Sequence, residues 1–217
     1  MSHKQTSFYN IDTLAMEVQA RIGTQASEMF LRNGIRSVTM NDVAESLGIS
    51  KRTLYEHFSN KEALLSQCID HIHAESLAVR RQQHLDANNS VDFIHRHFRY
   101  ALEKINSTHP NFVNELYKYH PKIWNTKIAP LMEERETFTR QLIQDGIEEG
   151  YFLSDTNPEI ATKLLYAQVD MISDLERFPL ERFTRHELFR HITISFIRGL
   201  ATDKGLKEVE ALFYDNI

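Results

Sequence analysis

The residues best suited to chemistry lie in one short stretch, TMNDVAESLGISKRTLYEHFSNK, at residues 39–61. Cationic, hydroxyl and aromatic side chains gather in its second half, at Lys51, Arg52, Thr53, Tyr55 and His57. Arginine and lysine can hydrogen-bond the O6 and N7 atoms of guanine, and a threonine methyl group can contact thymine. This combination favours contact with duplex DNA.

Two short helices and a turn are predicted to position these side chains. Thr39 can cap the first helix, with Asp42 three residues later where a capping-box acid belongs. Gly48 stands where a left-handed residue ends a helix at little steric cost. Ser50 can then cap the second helix. The pattern predicts a helix-turn-helix, although Thr39 and Ser50 are also explained as caps with no other role.

The apolar residues of the second helix indicate which face is buried. Leu54 and Phe58 are four residues apart, so they lie on one side of the helix. The cationic and hydroxyl residues are left on the free face and in the first turn, where they can enter a major groove. We therefore interpret residues 51–58 as a recognition helix. His57 is also compatible with a solvated surface position.

Charge and composition limit the alternatives. The 217 residues carry a net charge of −5, yet residues 1–67 hold seven basic and seven acidic side chains. Attraction to DNA must therefore come from local placement of cations, namely Arg21, Lys51, Arg52 and Lys61. The single cysteine excludes an intrachain disulfide and fits a reducing cytoplasm. No apolar run is long enough to span a bilayer.

Long amphipathic stretches with few Gly and Pro predict an all-α fold of about nine helices. We expect a three-helix N-terminal domain, residues 1–60, that contains the helix-turn-helix. Residues 61–217 are expected to form a larger helical domain.

The segment IGTQASEMFLRNGIRSVTMNDVAESLGISKRTLYEHFSNKEALL closely resembles the N-terminal domain of TetR-type transcriptional repressors. The matching features are Phe30, Gly34, Thr39-x-x-Asp42-Val43-Ala44, Gly48-Ile49-Ser50, Thr53-Leu54-Tyr55-x-x-Phe58 and Lys61-Glu62-x-Leu64-Leu65. The resemblance covers about residues 15–66, and the combination is far more specific than any single element. Arg52 departs from the pattern, because many family members carry a small residue there.

The resemblance implies roles for individual residues. Thr39, Tyr55, His57 and Lys61 would contact phosphate oxygens, which fixes register without reading sequence. Bases or the adjacent backbone would face Lys51, Arg52 and Thr53. The full set of residues expected at DNA is Thr39, Ser50, Lys51, Arg52, Thr53, Tyr55, His57 and Lys61.

A second and weaker resemblance covers DGIEEGYFLSDTNPEIATKLLYAQVDMI, which is similar to the second domain of the same family. It implies that helices at about 158–177 and 185–201 pair with their copies across a two-fold axis. A homodimer is also needed physically, since one short helix makes too small an interface for specific binding. The same two helices could instead belong to an intrachain core.

By analogy with the family, a small-molecule effector would bind within the second domain. Aromatic and imidazole side chains on the expected helices are candidate lining residues: His73, His97, Tyr117, Trp124 and Phe138. Each is also explained as an ordinary core or surface residue. The nearest histidine pairs, His71/His73 and His95/His97, are two residues apart and point to different helix faces, so no metal site and no cofactor is predicted.

Enzyme motifs are missing from the sequence. There is no P-loop, no glycine-rich dinucleotide loop, no HExxH and no nucleophile elbow. We therefore expect no enzyme but a regulator of transcription, by family default a repressor that an effector releases from a palindromic operator. The alternative is a DNA-binding or architectural protein of the same fold without an effector.

Overall fold

The computed structural model describes residues 3–174 and 176–213, with side chains from Met16 onward except that of Ser173. This part of the chain is helical, which confirms the all-α prediction. The α-helices are α1 His3–Asn33, α2 Met40–Ser46, α3 Lys51–His57, α4 Lys61–Asp86, α5 Ser90–Ser107, α6 Phe112–Tyr119, α7 Pro121–Ile123, α8 Ala129–Glu148, α9 Pro158–Asp170, α10 Arg185–Leu200 and α11 Asp203–Phe213. None of them has the length and apolar character required to cross a bilayer.

The chain divides into two compact units, and the first comprises residues 1–77 and 108–124. Its core lies between α1, α2, α3 and the start of α4. The buried apolar side chains there are Ile22, Ala26, Phe30, Ile35, Val38, Met40, Val43, Ala44, Leu54, Phe58, Leu64, Leu65, Cys68 and Ile69. This unit holds the whole predicted helix-turn-helix together with α6.

The second unit comprises residues 78–107 and 125–217. Its core is built around α5, whose buried Val91, Phe98 and Leu102 pack with residues of α8, α9, α10 and α11. The Phe98 ring stacks on that of Phe189 at 5.5 Å between centroids and lies 5.4 Å from that of Phe213. Phe98 and Phe213 are buried and Phe189 is partly buried against them, so these rings contribute to the stability of this unit.

The end of one helix differs from the sequence prediction. The helix beginning at Pro158 ends at Asp170, not near Arg177, and a short 3₁₀ turn follows at Met171–Ser173. Asp174 then leaves the helical region, and its side chain accepts a hydrogen bond from the Arg177 amide. Pro179 disfavours helical backbone at the residue before it, which favours a stop in this region.

The expected number of about nine helices is close to the eleven α-helices of the described residues, one of which, α7, has only three residues. A π-helical segment, Trp124–Ile128, separates α7 from α8. A helix that the sequence analysis did not anticipate, α11, packs on α5 and buries Val209 and Phe213. This packing brings Gly205 close to the Tyr151 carbonyl. Only a residue without a side chain fits there, since a Cβ at position 205 would lie 2.0 Å from the carbonyl oxygen.

Candidate nucleic-acid interface and ligand cavity

The start of α2 is held by the predicted capping box. The Thr39 amide and hydroxyl donate to the Asp42 carboxylate at 2.7 and 2.8 Å, and the Asp42 amide donates back to the Thr39 hydroxyl at 3.2 Å. These two donors of Thr39 hold the pKa of Asp42 below its ordinary value. Thr39 is therefore engaged as a cap, which leaves α2 with a fixed entry direction.

The turn between α2 and α3 is a Schellman motif. Gly48 has a φ of +65°, its amide donates to the Glu45 carbonyl at 3.0 Å, and the Ile49 amide donates to the Ala44 carbonyl at 3.0 Å. Glycine adopts this left-handed conformation without the strain that a Cβ would add. The angle between the two helices is therefore encoded in the backbone.

Helix α3 begins at its predicted cap. The Ser50 hydroxyl accepts from the Thr53 amide at 3.0 Å, and the two hydroxyl oxygens are 2.8 Å apart. Leu54 is completely buried and Phe58 is nearly so, which anchors one face of the helix in the core. The opposite face is thereby presented to solvent.

That free face carries the residues predicted to read DNA. Lys51 and Arg52 are exposed and Thr53 is half-buried, while Tyr55 keeps 43% of its surface accessible despite its large ring. The Arg52 Nε atom donates to the Glu56 carboxylate at 3.1 Å, and both side chains are largely exposed. This ion pair was missed by the sequence analysis. A contact between the Arg52 guanidinium and a base or phosphate would require this ion pair to open.

Lys61, a predicted phosphate contact, is half-buried at the start of α4. Its ammonium nitrogen lies 5.8 Å from the centre of the Phe30 ring. Burial lowers the pKa of Lys61, while the carboxylates of Glu115 and Asp42 act in the opposite direction. The Asn60 side chain caps the helix by accepting from the Ala63 amide at 2.8 Å. His57, also half-buried, forms the last turn of α3.

Helix α6 contacts the chain just after α1 within the same unit. One oxygen of Glu115 accepts from the amides of Ile35 and Arg36 at 2.7 and 3.0 Å. The Arg36 guanidinium lies over the Tyr119 ring, 4.8 Å from its centre. Gly34, at a φ of +83°, leaves room for His109 there. No local pattern in the sequence indicates these contacts, since they join residues about eighty positions apart.

A cavity of about 130 Å³ lies within the second unit, between α4, α5, α8, α9 and α10. Most of its wall is apolar and aromatic. The lining residues are Arg80, Ile94, His97, Phe98, Ala101, Arg135, Phe138, Thr139, Leu142, Ile143, Phe152, Leu165, Tyr166, Val169, Phe189, Thr193, Phe196, Ile197 and Leu200. A mainly apolar wall with a few polar groups is typical of small-molecule sites.

The polar groups of the cavity gather near the start of α8. Arg80 forms an ion pair with Glu134 and lies over the Phe138 ring, 4.7 Å from its centre. Arg135 lies 5.7 Å from the centre of the Tyr166 ring, and the Tyr166 hydroxyl is 3.0 Å from that of Thr139. Two guanidinium groups and two hydroxyl groups thus share one end of the cavity.

His97 lies at the same end. Its Nδ1 atom is 3.2 Å from the Gln83 carbonyl oxygen, and the Gln83 amide donates to the Arg96 carbonyl at 3.2 Å. Burial, followed by the charges of Arg135 and Arg80, lowers the pKa of His97 to about 4. His97 is therefore neutral at pH 7, and the Gln83 contact assigns its proton to Nδ1.

The five candidate effector residues are divided between the units. His97 and Phe138 line the cavity. Tyr117 and Trp124 belong to the first unit, where their rings meet edge to face at 5.0 Å, and His73 lies on the part of α4 in that unit. Arg80, Arg135 and Thr193 were not anticipated as lining residues. Within the described residues, no cluster of His, Cys, Asp or Glu is arranged to hold a metal.

Comparison with known proteins gives the same picture as the geometry. Residues 22–68 match the family model "Bacterial regulatory proteins, tetR family". The HTH-type transcriptional regulator UidR of Escherichia coli K12 is 29% identical over 184 residues, covering 80% of this chain and 89% of that protein. The uncharacterized HTH-type transcriptional regulator YvaF of Bacillus subtilis is 27% identical over 175 residues, covering 77% and 88%.

A solved structure shares the fold over most of the chain. A transcriptional regulator from Saccharomonospora viridis, in complex with choline, superposes with a TM-score of 0.72 at 17% identity. The match covers 86% of this chain and 99% of the other.

Proposed function

Since the chain is a TetR-type transcriptional regulator, we propose that it represses transcription as a homodimer on a palindromic operator and is released by a small-molecule effector. One observation carries the proposal: α3 is capped and anchored on one side and presents Lys51, Arg52 and Tyr55 to solvent on the other. Such a helix fits the major groove, with its first residues at the base edges.

The proposed DNA contacts follow from the exposure of each side chain. Lys51 and Arg52 are placed to reach base edges, and Thr53 is placed to reach bases or the adjacent backbone. Tyr55 and His57 are proposed as phosphate contacts, together with Thr39, Ser50 and Lys61 near the ends of helices. The amide groups at a helix N-terminus favour an anion in the same places.

The dimer interface is proposed on α9 and α10, within residues 158–177 and 185–201. Support comes from an apolar row on α9, where Ile160 and Leu164 keep 58% and 54% of their surface exposed. These side chains are one helical turn apart, so they form a continuous stripe that a second copy could cover. Two recognition helices about 34–36 Å apart would then reach successive major grooves.

Effector control is proposed to run through α4, which belongs to both units. Its first residue, Lys61, lies beside Asp42 and Glu115, and Arg80 on the same helix lines the cavity. A ligand that favours one arrangement of α4 changes the free energy of DNA binding, and DNA changes ligand affinity by the same factor. The choline complex of the S. viridis regulator supports small-molecule binding in this fold.

Selection of duplexes from a random pool, followed by binding measurements at several salt concentrations, tests the DNA reading. We expect a palindrome to be enriched and its affinity to fall steeply with salt. A wild-type protein that shows no preference among duplexes at moderate ionic strength would end the proposal.

The dimer is tested separately by sedimentation of a Leu164→Glu variant. We expect a shift to monomer and loss of operator binding, because a buried carboxylate without a partner is strongly unfavourable. Val113→Glu is the matched control, since Val113 is also an exposed apolar residue, at 46%, but lies on α6. Equal dimerisation of both variants would place the interface elsewhere.

The second candidate function is DNA binding without an effector. Thermal-shift screening of metabolites and drugs separates the two, because a ligand of the folded state raises the melting temperature. A compound that binds and also weakens operator binding supports the repressor with an effector. Compounds that bind without any change in operator affinity support the alternative.

A further inference from the structure

We propose that the cavity of the second unit selects a small organic carboxylate, with its anionic group at Arg80 and Arg135 and its apolar body toward Ile143 and Phe152. The proposal rests on the proposed effector function and specifies the class of ligand. It is carried by the separation of polar and apolar groups along the cavity wall.

The cationic end is built from residues of two helices. Arg135 has an aromatic contact with Tyr166 but no ion-pair partner within the described residues. Arg80 is paired with Glu134, so that end keeps an excess positive charge of about one. Guanidinium groups bind carboxylates with paired, charge-assisted hydrogen bonds. A cationic ligand would meet this charge and be disfavoured.

The neighbouring groups complete an anion site. The Tyr166 and Thr139 hydroxyls are 3.0 Å apart, so one donates to the other and the accepting hydroxyl keeps its own hydrogen for a ligand oxygen. His97 donates from Nδ1 to Gln83, so its neutral Nε2 can accept a hydrogen bond from a ligand hydroxyl. The end near the start of α8 can therefore satisfy several ligand oxygens at once.

The opposite end is apolar. From Arg135 to Ile143, α8 advances by eight residues, or about 12 Å, and the wall changes from charged through Phe138 to aliphatic. Phe152 closes this end and is almost fully buried. A volume of about 130 Å³ suits a single ring or a short alkyl chain, since an apolar cavity of about 150 Å³ accommodates benzene.

One buried polar atom indicates that the cavity is built for a ligand. The Thr193 hydroxyl lines the wall, the residue is only 8% exposed, and the oxygen has no hydrogen-bond partner. A buried hydroxyl without a partner is unfavourable, because it has lost its hydrogen bonds to water without replacing them. A ligand with a polar atom partway along its body would recover that hydrogen bond.

The test compares three ligands with the same alkyl chain: octanoate, octanol and octylammonium. Binding is measured by calorimetry on the full chain, and release is measured on a duplex obtained by selection. We expect octanoate to bind at least tenfold more tightly than octanol, with octylammonium weakest. Arg135→Gln should weaken octanoate about tenfold and leave octanol within about twofold.

Control variants separate charge from folding. Arg81→Gln removes an exposed arginine next to Arg80 on α4 and should leave all three affinities unchanged. Arg135→Glu should reverse the order, so that octylammonium binds better than octanoate. Arg135 is exposed and unpaired, so its variants are expected to fold even where Arg80→Gln does not, and thermal unfolding verifies this.

The outcomes separate the two proposals. Carboxylate selection is overturned if octanol binds as tightly as octanoate, or if Arg135→Gln binds octanoate with wild-type affinity. Either result leaves an effector of another class possible. Octanoate binding that depends on Arg135 but does not release DNA upholds the carboxylate site and overturns effector control. Failure of octanoate to bind at millimolar concentration overturns the carboxylate proposal, and release of DNA by another compound class would still uphold the effector.

Discussion

The two units differ in how completely their polar groups are paired. In the first unit, Thr39, Ser50 and Asn60 each satisfy a helix N-terminus, and Glu115 satisfies two amides. Among the described residues, the buried side-chain atoms without a hydrogen-bond partner are in the second unit: His95 Nε2, Arg190 Nε and Thr193 Oγ1. A surface that reads DNA needs one fixed geometry, whereas a receptor can keep unpaired groups that a ligand completes.

Breaking the anchor of α3 should have the largest effect. Leu54→Ala removes a completely buried side chain and should lower the free energy of unfolding by about 2–5 kcal/mol. Denaturant unfolding measures the loss, and ligand binding to the second unit serves as the control. A cost below about 1 kcal/mol would show that the first unit is less tightly constrained than its hydrogen bonds imply.

The pH dependence of stability tests the second unit. The pKa of His97 in the folded protein, about 4, is below its ordinary value, so the unfolded chain binds more protons between these values. The contribution of neutral His97 to the free energy of unfolding is fully present above about pH 6.5. It is lost as the pH falls toward 4. Its upper limit is about 3 kcal/mol.

His97→Gln should flatten this part of the stability curve, as measured by urea unfolding from pH 7 to pH 4. The exposed His71 in the first unit provides a matched variant, His71→Gln. If both variants keep the wild-type dependence of the free energy of unfolding on pH, the acid sensitivity originates in groups other than His97 and its arginine neighbours.

Sequence reading by the first unit should depend on Arg52. Arg52→Ala should change the relative preference among operators by about 1–3 kcal/mol if the guanidinium makes a bidentate contact with guanine. Competition among duplexes measures this effect. Glu56→Gln is the companion variant, because it frees Arg52 without removing it, and it should raise affinity for all duplexes. Unchanged preference for Arg52→Ala would remove this residue from the specificity set.

The smallest effect is expected from removing the unpaired Thr193 hydroxyl from the cavity wall. Thr193→Val replaces the unpaired hydroxyl with a methyl group and should stabilise the second unit by about 1 kcal/mol. Thermal unfolding measures the gain. A destabilised variant would mean that the hydroxyl has a hydrogen-bond partner in solution. The two units would then differ less in how completely their polar groups are paired.

What could be predicted from the sequence is mainly local chemistry. The capping box at Thr39, the cap at Ser50 and the left-handed Gly48 depend on residues within four positions, and the structure contains all of them. The burial of Leu54 and Phe58 follows equally from helical spacing. These features define the helix-turn-helix almost to the residue.

The rest depends on contacts between distant parts of the chain. Glu115 binds amides eighty positions away, and the cavity wall combines five helices, so no periodicity identifies Arg80, Arg135 or Thr193 as lining residues. Candidates chosen by residue type alone were therefore divided between the two units. Which aromatic residue lines a cavity is decided by packing, which sequence spacing does not specify.

The pairing of Glu115 with Ile35 and Arg36 also determines how the protein can be divided. A fragment that stops at residue 77 would keep every side chain proposed to touch DNA, yet it would lose the carboxylate that satisfies those two amides. A portable DNA-binding unit must therefore carry residues 108–124 as well, joined by a linker in place of residues 78–107, and it must be fused to a dimerising domain that replaces α9 and α10. An exchange of DNA-binding units between relatives should therefore transfer residues 1–77 and 108–124 together.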